Sequence, residues 1–136
     1  MRVAFFGSRP LARDCLAMLH GHADAEIVAV CSSDVSQGAW WADQNVVDAA
    51  RAWGLPLVEQ PDDVIPLAVD LILSVYFDRL LSPTVIGSAR FGAVNLHGGP
   101  LPEYRGRMIA MHAILNGDRE HGATLHYMDA GADTGP

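Results

Sequence analysis

The chain has 136 residues, Lys+Arg 9 against Asp+Glu 16 and a formal charge of -7, with 50% hydrophobic and 18% charged residues. That length buries roughly two thirds of its unfolded surface around one core. The composition excludes disorder, and no apolar run approaches the roughly 20 residues that span a bilayer. The acidic balance argues against a phosphate backbone, DNA included, as the main partner.

Every basic residue is an arginine, which removes lysine Schiff-base and P-loop lysine chemistry. The opening run Met1 to Gly7 is too short and too quickly broken for a secretory signal. Cys15 and Cys31 stand in apolar stretches, so they read as buried thiols of a protein in a reducing cytoplasm.

Val3 to Phe6 is a nearly continuous apolar run ending at Gly7-Ser8 and reads as a central strand buried on both faces. Leu11, Cys15, Leu16, Met18 and Leu19 follow at helical spacing, closed by Gly21. Glu26 to Cys31 is the second strand. Asn45 to Trp53 is a helix stopped by Gly54 and Pro56, and Leu57-Val58 is a short third strand. Asp70 to Tyr76 is the next buried strand. Ser82-Pro83 supplies an N-cap and a first helical residue. Ala93 to His97 is a strand, Met108 to Leu115 a helix ended by Asn116-Gly117, and Ala123 to Met128 a last strand. Alternation of short β-rich runs with helix-length segments predicts a parallel α/β sheet. No repeat or linker divides residues 1–136, which read as one domain. No covering helix follows the last strand before Pro136, which predicts a fragment of a longer protein.

In open α/β sheets, ligands bind beyond the carboxyl ends of the strands. The first such end, Gly7-Ser8-Arg9-Pro10, lacks the three glycines of a dinucleotide fingerprint, and helix capping is the expected role of Ser8. Asn95 and His97 alternate onto one face at the end of their strand, just before Gly98-Gly99-Pro100. Two polar groups on an otherwise apolar strand are either a hydrogen-bonded core pair or a functional pair, and position alone leaves both open. Arg105 and Arg107 offer planar donors for carboxylate or phosphate; surface pairing with Glu103 is the plain alternative. Asp133 can approach His97 if their strands are neighbours, or it is an Asx-turn residue. His20 and His22 flank Gly21 at a helix end, where a dipole contact is the ordinary role. The five-residue spacing of His121 and His126 does not match a helical metal pair, so no zinc site is expected. The Trp40-Trp41 pair reads as core or interface rather than a stacking platform.

Taken together, Asn95-Leu96-His97, then Leu101-Pro102-Glu103-Tyr104-Arg105-Gly106, then Asp133-Thr134-Gly135 resemble the signature of the folate-dependent formyltransferases. Tyr76 to Pro83 resembles that family's folate-loop region. The stretch Phe91 to Gly117 is most similar to formyltransferases acting on amino groups of sugar nucleotides; the domain that modifies 4-amino-4-deoxy-L-arabinose shares the Asn-Leu-His-Gly and Tyr-Arg-Gly-Arg wording. The resemblance implies a Rossmann-like open, mostly parallel sheet with helices on both faces. Residues 1–136 would then be the N-terminal portion of a formyltransferase catalytic domain. It implies N10-formyltetrahydrofolate as co-substrate, with no metal. It implies Asn95 as the oxyanion stabiliser, His97 as general acid/base and Asp133 as the carboxylate tuning it. Pterin contacts would fall on Arg79, Leu80 and Leu81, mainly through backbone. Arg107 and the loop Asp129, Ala130, Gly131 and Ala132 would complete the cofactor site.

The acceptor implied is a primary amine of a nucleotide-linked amino sugar, in a cytoplasmic enzyme of one-carbon metabolism with no membrane partner, and a homodimer is allowed. Methionyl-tRNA formyltransferase is the rival of the same chemistry, disfavoured by the charge of -7. Glycinamide ribonucleotide formylation is weaker still, for want of a glycine-rich first turn. A non-catalytic folate- or nucleotide-binding module is the alternative of another class. One departure stands out: many relatives carry serine two residues after the histidine, where this chain has Gly99.

Overall fold

The computed structural model describes residues 1–33 and 44–136; Trp40 and Trp41 lie outside the described residues. The central strand, β1 (Arg2–Gly7), is buried from Val3 onward. Its parallel neighbours are β2 (Glu26–Cys31) on one side and β4 (Leu71–Val75) on the other. β3 (Leu57–Val58) pairs with β2, and β5 (Ala93–His97) pairs with β4, both parallel. β6 (Thr124–Tyr127) closes the edge antiparallel to β5. The order is β3-β2-β1-β4-β5-β6, a mostly parallel sheet whose winding reverses at β1.

Alternation along β1 explains why its apolar run is continuous. Ala4 and Phe6 face one side, where Cys31, Ile72, Val64 and Val85 pack. Phe5 faces the other, against Ala12, Leu16, Val46 and Ala50. Helices α1 (Pro10–His20) and α2 (Val46–Ala52) cover that second face. The first is covered by α3 (Pro83–Ser88) and by a 3₁₀ segment, Pro61–Leu67. Full burial of a side chain such as Phe6 contributes about 1.5–3 kcal/mol.

Local chemistry sets the boundaries. Asn45 caps α2 by accepting from Asp48 N at 2.7 Å, and Ser82 caps α3 by accepting from Val85 N at 3.2 Å with Pro83 as first residue. The 3₁₀ segment, absent from the sequence reading, starts on a reciprocal cap between Gln60 and Asp63. Helix α4 (Ile109–Asn116) ends on Gly117, whose φ of 77° is left-handed.

Ser8 does not cap α1. Pro10 is the first helical residue, so the cap position falls on Arg9, which makes no side-chain cap bond. The Ser8 hydroxyl is buried and lies 2.8 Å from Ser33 Oγ, joining the ends of β1 and β2. His20 stacks on Trp53 at 5.4 Å between centroids. Cys31 is buried and Cys15 partly so, both free, and burial pushes both thiols above their ordinary range. No helix among the described residues is long and apolar enough to cross a membrane.

Candidate active site

The polar cluster begins as a cross-strand square. In the β5–β6 pair Asn95 stands opposite His126, and His97 opposite Thr124. Directly opposed residues of an antiparallel pair share a face, so the sheet itself brings two histidines, an asparagine and a threonine together. Asn95 and His97 do not bond one another; a third element joins them.

That element is the loop after β6. Asp133 adopts a left-handed φ of 53°, a region that aspartate tolerates better than most residues. Its Oδ1 lies 3.4 Å from His97 Nδ1, 3.4 Å from Asn95 Nδ2 and 3.7 Å from His126 Nε2. Its Oδ2 accepts from Gly106 N at 2.9 Å. The side chains of His97, His126 and Asp133 are 8%, 5% and 14% exposed. Screening by water is therefore weak, and their mutual electrostatics are stronger than at an open surface. The Asx-turn role belongs instead to Asp129, whose Oδ1 accepts from Gly131 N at 2.9 Å and from Thr134 Oγ1 at 2.6 Å. These bonds, Thr134's first, hold the Asp129 carboxyl below the ordinary carboxylate range. They also fold the turn that delivers Asp133. A Cβ at Gly131 would collide with Thr134 Oγ1, so a larger residue there forces the Thr134 hydroxyl away from Asp129.

The loop between β5 and α4 completes the surroundings of His97. His97 Nε2 donates to the Tyr104 carbonyl oxygen at 2.6 Å. With Nδ1 facing Asp133, both ring nitrogens meet oxygen acceptors. Tyr104 is held from behind. Its hydroxyl donates to Asp118, just past α4, and accepts from Asn116 Nδ2 at the end of that helix. The bond to Asp118 pushes its phenol above the ordinary tyrosine range. Thr124 fastens the same loop to β6, donating to Gly99 O at 2.8 Å and accepting from Leu101 N at 3.1 Å. His121 Nε2 meets Gly98 O at 2.9 Å.

Gly99 has a structural cause. A Cβ there would lie 2.8 Å from Ile109 Cδ1 and 3.2 Å from Tyr104 O, the carbonyl that holds His97. In this loop the space that a serine side chain needs is already filled. Gly98 is crowded from the other side, since a Cβ there would overlap the Tyr76 phenol. Tyr76 follows β4 with a strained φ of 50°, and so sets an aromatic ring beside the His97 end of β5.

The residues expected to meet a cofactor are placed differently from one another. Arg79 turns its guanidinium toward β2, with Nη2 3.3 Å from Cys31 Sγ and Nη1 3.2 Å from Gln60 Oε1. Leu81 is buried in the core against Val85. Leu80 is 73% exposed, and residues 78–81 run as irregular backbone. What this segment presents to a ligand is therefore main chain, the exposed Asp78 and the open Leu80 side chain. Arg105 and Arg107 are exposed, and among the described residues neither pairs with Glu103. Arg105 lines a cavity of about 280 Å³ with Leu101, Pro102, Thr124, His126 and Asp133; Arg107 does not. The cavity is close to the lower bound of roughly 300 Å³ for small-molecule sites, and it opens the buried cluster to solvent. Ala130 and Ala132 lie in the Asp129–Asp133 turn and are exposed. Among the described residues, no group of three or more His, Cys, Asp or Glu is placed to hold a metal ion.

Two participants escaped the sequence reading. His126 was visible only as a strand residue, and its signal is the register that sets it opposite Asn95. The Tyr104 carbonyl has no sequence signal at all, because any residue at that position carries one. Chemically, the cluster can hold a proton on an imidazole, orient that imidazole from both sides, and direct an amide N–H at a developing negative oxygen. These are the requirements of acyl-type transfer.

Comparison with known proteins agrees with that chemistry. A family model described as formyl transferase matches residues 1–136. The methionyl-tRNA formyltransferase of Synechocystis sp. is 36% identical over 148 residues, covering 99% of this chain and 44% of that protein. That of Sphingopyxis alaskensis is 32% identical, covering 99% and 47%. The chain thus spans about half the length of these relatives. Phosphoribosylglycinamide formyltransferase from Bacillus halodurans superposes with a TM-score of 0.78 at 24% identity, over 100% of this chain and 76% of that one. An N-formyltransferase from Helicobacter canadensis, solved with folinic acid and dTDP-3-aminofucose, gives 0.76 at 24% identity, over 98% and 49%. At that identity the structural likeness carries the fold alone.

Proposed function

This chain belongs to the formyl transferase family, and from that premise we propose that it forms the catalytic part of an enzyme moving a formyl group from N10-formyltetrahydrofolate to a primary amine. The observation that supports this most is the convergence of Asn95, His97 and Asp133 within 3.4 Å contacts at the carboxyl end of β5. The donor supplies a formyl carbon carried on a nitrogen able to leave. The main chain of residues 78–81, the open Leu80 side chain and the exposed turn at Asp129, Ala130, Gly131 and Ala132 suit a flat heterocycle that needs hydrogen bonds at its edge and apolar contact on its face. Arg107, exposed in the loop between β5 and α4, would offer a guanidinium to the donor's carboxylates.

The geometry supports the following roles. When the amine attacks, a new C–N bond forms and the carbonyl oxygen gains negative charge. One Asn95 amide N–H, released from its long 3.4 Å contact with Asp133, donates to that oxygen while the charged His97 ring beside it offsets the negative charge; such a donor contributes about 10²–10³ in rate. As the donor's C–N bond breaks, one proton leaves the amine and one reaches the departing nitrogen. His97, held between Asp133 and the Tyr104 carbonyl, gives a ring proton to the departing nitrogen and, once neutral, takes the proton the amine loses, a contribution of about 10²–10⁴. Asp133 fixes the ring and balances its charge.

For the acceptor, we put the amino group of a nucleotide-linked sugar first. The Tyr104-Arg105-Gly106-Arg107 wording and the charge of -7 support it, and so does the cavity at Arg105, which offers a cation to an anionic acceptor beside Asp133. The methionyl end of an initiator tRNA is the second reading, favoured by the names of the relatives at 32–36% identity.

The enzyme containing this domain, supplied with N10-formyltetrahydrofolate and offered either dTDP-amino sugars or methionyl-tRNA, distinguishes the two. Formylation of the sugar with shallow salt dependence is expected. A steep fall of acceptor binding with salt, with only the tRNA formylated, selects the second reading. His97→Ala is expected to remove transfer to either acceptor while the fold survives; near-wild-type turnover in that variant overturns the proposal.

A further inference from the structure

His126 lies outside the three motif residues, yet it touches two of them. Its ring nitrogens have different neighbours. Nδ1 is 2.8 Å from the Tyr127 carbonyl oxygen. A carbonyl only accepts, so Nδ1 carries the ring proton. The neutral ring then leaves Nε2 bare, facing Asn95 Nδ2 at 3.3 Å, and the amide donates to it. Asp133 Oδ1 is 3.7 Å from the same nitrogen, beyond hydrogen-bond range. The Asn95 amide thus has its nitrogen turned toward two acceptors, His126 Nε2 and Asp133 Oδ1, the latter at 3.4 Å.

We propose that His126 is a positioning residue whose neutral, Nδ1-protonated ring sets which way the Asn95 amide faces. The inference rests on the role proposed above for Asn95. Once Nε2 takes a proton, the ring has no acceptor left and two donors confront each other across 3.3 Å. Rotation of the amide about its last bond relieves this by presenting Oδ1 to His126. The turned amide then shows an oxygen where an N–H stood, and a developing oxyanion there meets an acceptor. The arrangement is a conformational control on the oxyanion donor, and it operates on the acid side.

The charged groups around His126 come from several elements. Asp133 and Asp129 reach it from the loop after β6. His97 on β5 shares Asp133 Oδ1 with it, and Arg105 lines the cavity that opens onto it.

The test uses the complete enzyme carrying this domain. Nitrogen NMR of ¹⁵N-labelled histidine is expected to show His126 at neutral pH with its proton on Nδ1. A ring protonated on Nε2 instead overturns the proposal, whatever the kinetics give. In turnover assays His126→Leu, which has no acceptor, is expected to lower kcat about tenfold or more, with KM for both substrates unchanged within about twofold. His126→Gln keeps an acceptor without titrating. It is expected to hold kcat within about threefold of wild type at neutral pH and to lose the acid-side inflection belonging to His126. A leucine variant with wild-type kcat and pH profile contradicts the proposal, as does a glutamine variant that falls as far as leucine. Asn95→Ala separates the two layers: full activity in that variant removes the oxyanion role itself, whereas the NMR result concerns His126 alone.

Discussion

The centre of this sheet and its β5–β6 edge are held by different means. From β1 across β2 and β4 the interior is apolar, with Phe5 and Leu16 in the cluster on one face and Phe6 and Ile72 in the cluster on the other. At β5 and β6 the shared face is polar. Order there comes from hydrogen bonds that cross from loop to strand: Tyr104 O to His97, Thr124 to Gly99 and Leu101, and Gly106 N to Asp133. The apolar region tolerates exchange of like for like, because dispersion and transfer energies depend on volume and area more than on direction. The polar region depends on direction at every contact, since hydrogen bonds weaken steeply with misalignment.

Substitutions can break that contrast or sharpen it. Phe6→Ala is expected to have the largest effect on stability, about 3–5 kcal/mol, read as a lower urea midpoint. Catalysis in whatever folded fraction remains should be spared. Gly99→Ala or Gly99→Ser is expected to act in the opposite sense. The added Cβ is driven against Ile109 and the Tyr104 carbonyl, at about 1–3 kcal/mol of overpacking, and kcat falls further than stability because His97 loses its partner at Nε2. A serine variant as stable and active as wild type would show that the loop has room the structure does not display.

The smallest effect is electrostatic. In the folded protein the Asp129 carboxyl is held down by Thr134 and Gly131. Its stabilising contribution is therefore present above the ordinary carboxylate range and is lost as pH falls through the lowered folded value. Thr134→Val releases the main cause. The drop in urea midpoint between neutral and acid pH should narrow slightly in that variant, and an unchanged drop would remove Asp129 from the account of the turn.

The same contrast explains what could be read without coordinates. The buried strands were legible because a two-faced core imposes a continuous apolar run, as at Val3 to Phe6 and Leu71 to Val75. Ser82-Pro83 was legible because capping is local. Asn95 and His97 were paired by strand alternation alone, and Asp133 entered through its place in the loop after the last strand, with a motif added to it. Ser8 was misread because Pro10 sets the cap one residue later, at Arg9. The 3₁₀ segment had only a short signal in Gln60, Pro61 and Asp63. The partnership of Asn95 with His126 needs the antiparallel register of β5 and β6, which no local pattern encodes. Arg79's turn toward Cys31 depends on how β2 and the segment after β4 come together in space. The Tyr104 carbonyl is main chain, which side-chain patterns do not describe.

The central claim is that His97 and Asp133 act as one unit with Asn95 on a single carbon centre. The most direct measurement is a double-mutant cycle on kcat in the complete enzyme, with His97→Ala, Asp133→Ala and the pair, each checked for an unchanged urea midpoint. Groups that act together are strongly non-additive. The account predicts that each single variant loses about 10²–10⁴ in rate and that the double variant loses hardly more than the worse of the two. Losses that multiply, or an Asp133→Ala variant as fast as wild type, would contradict it.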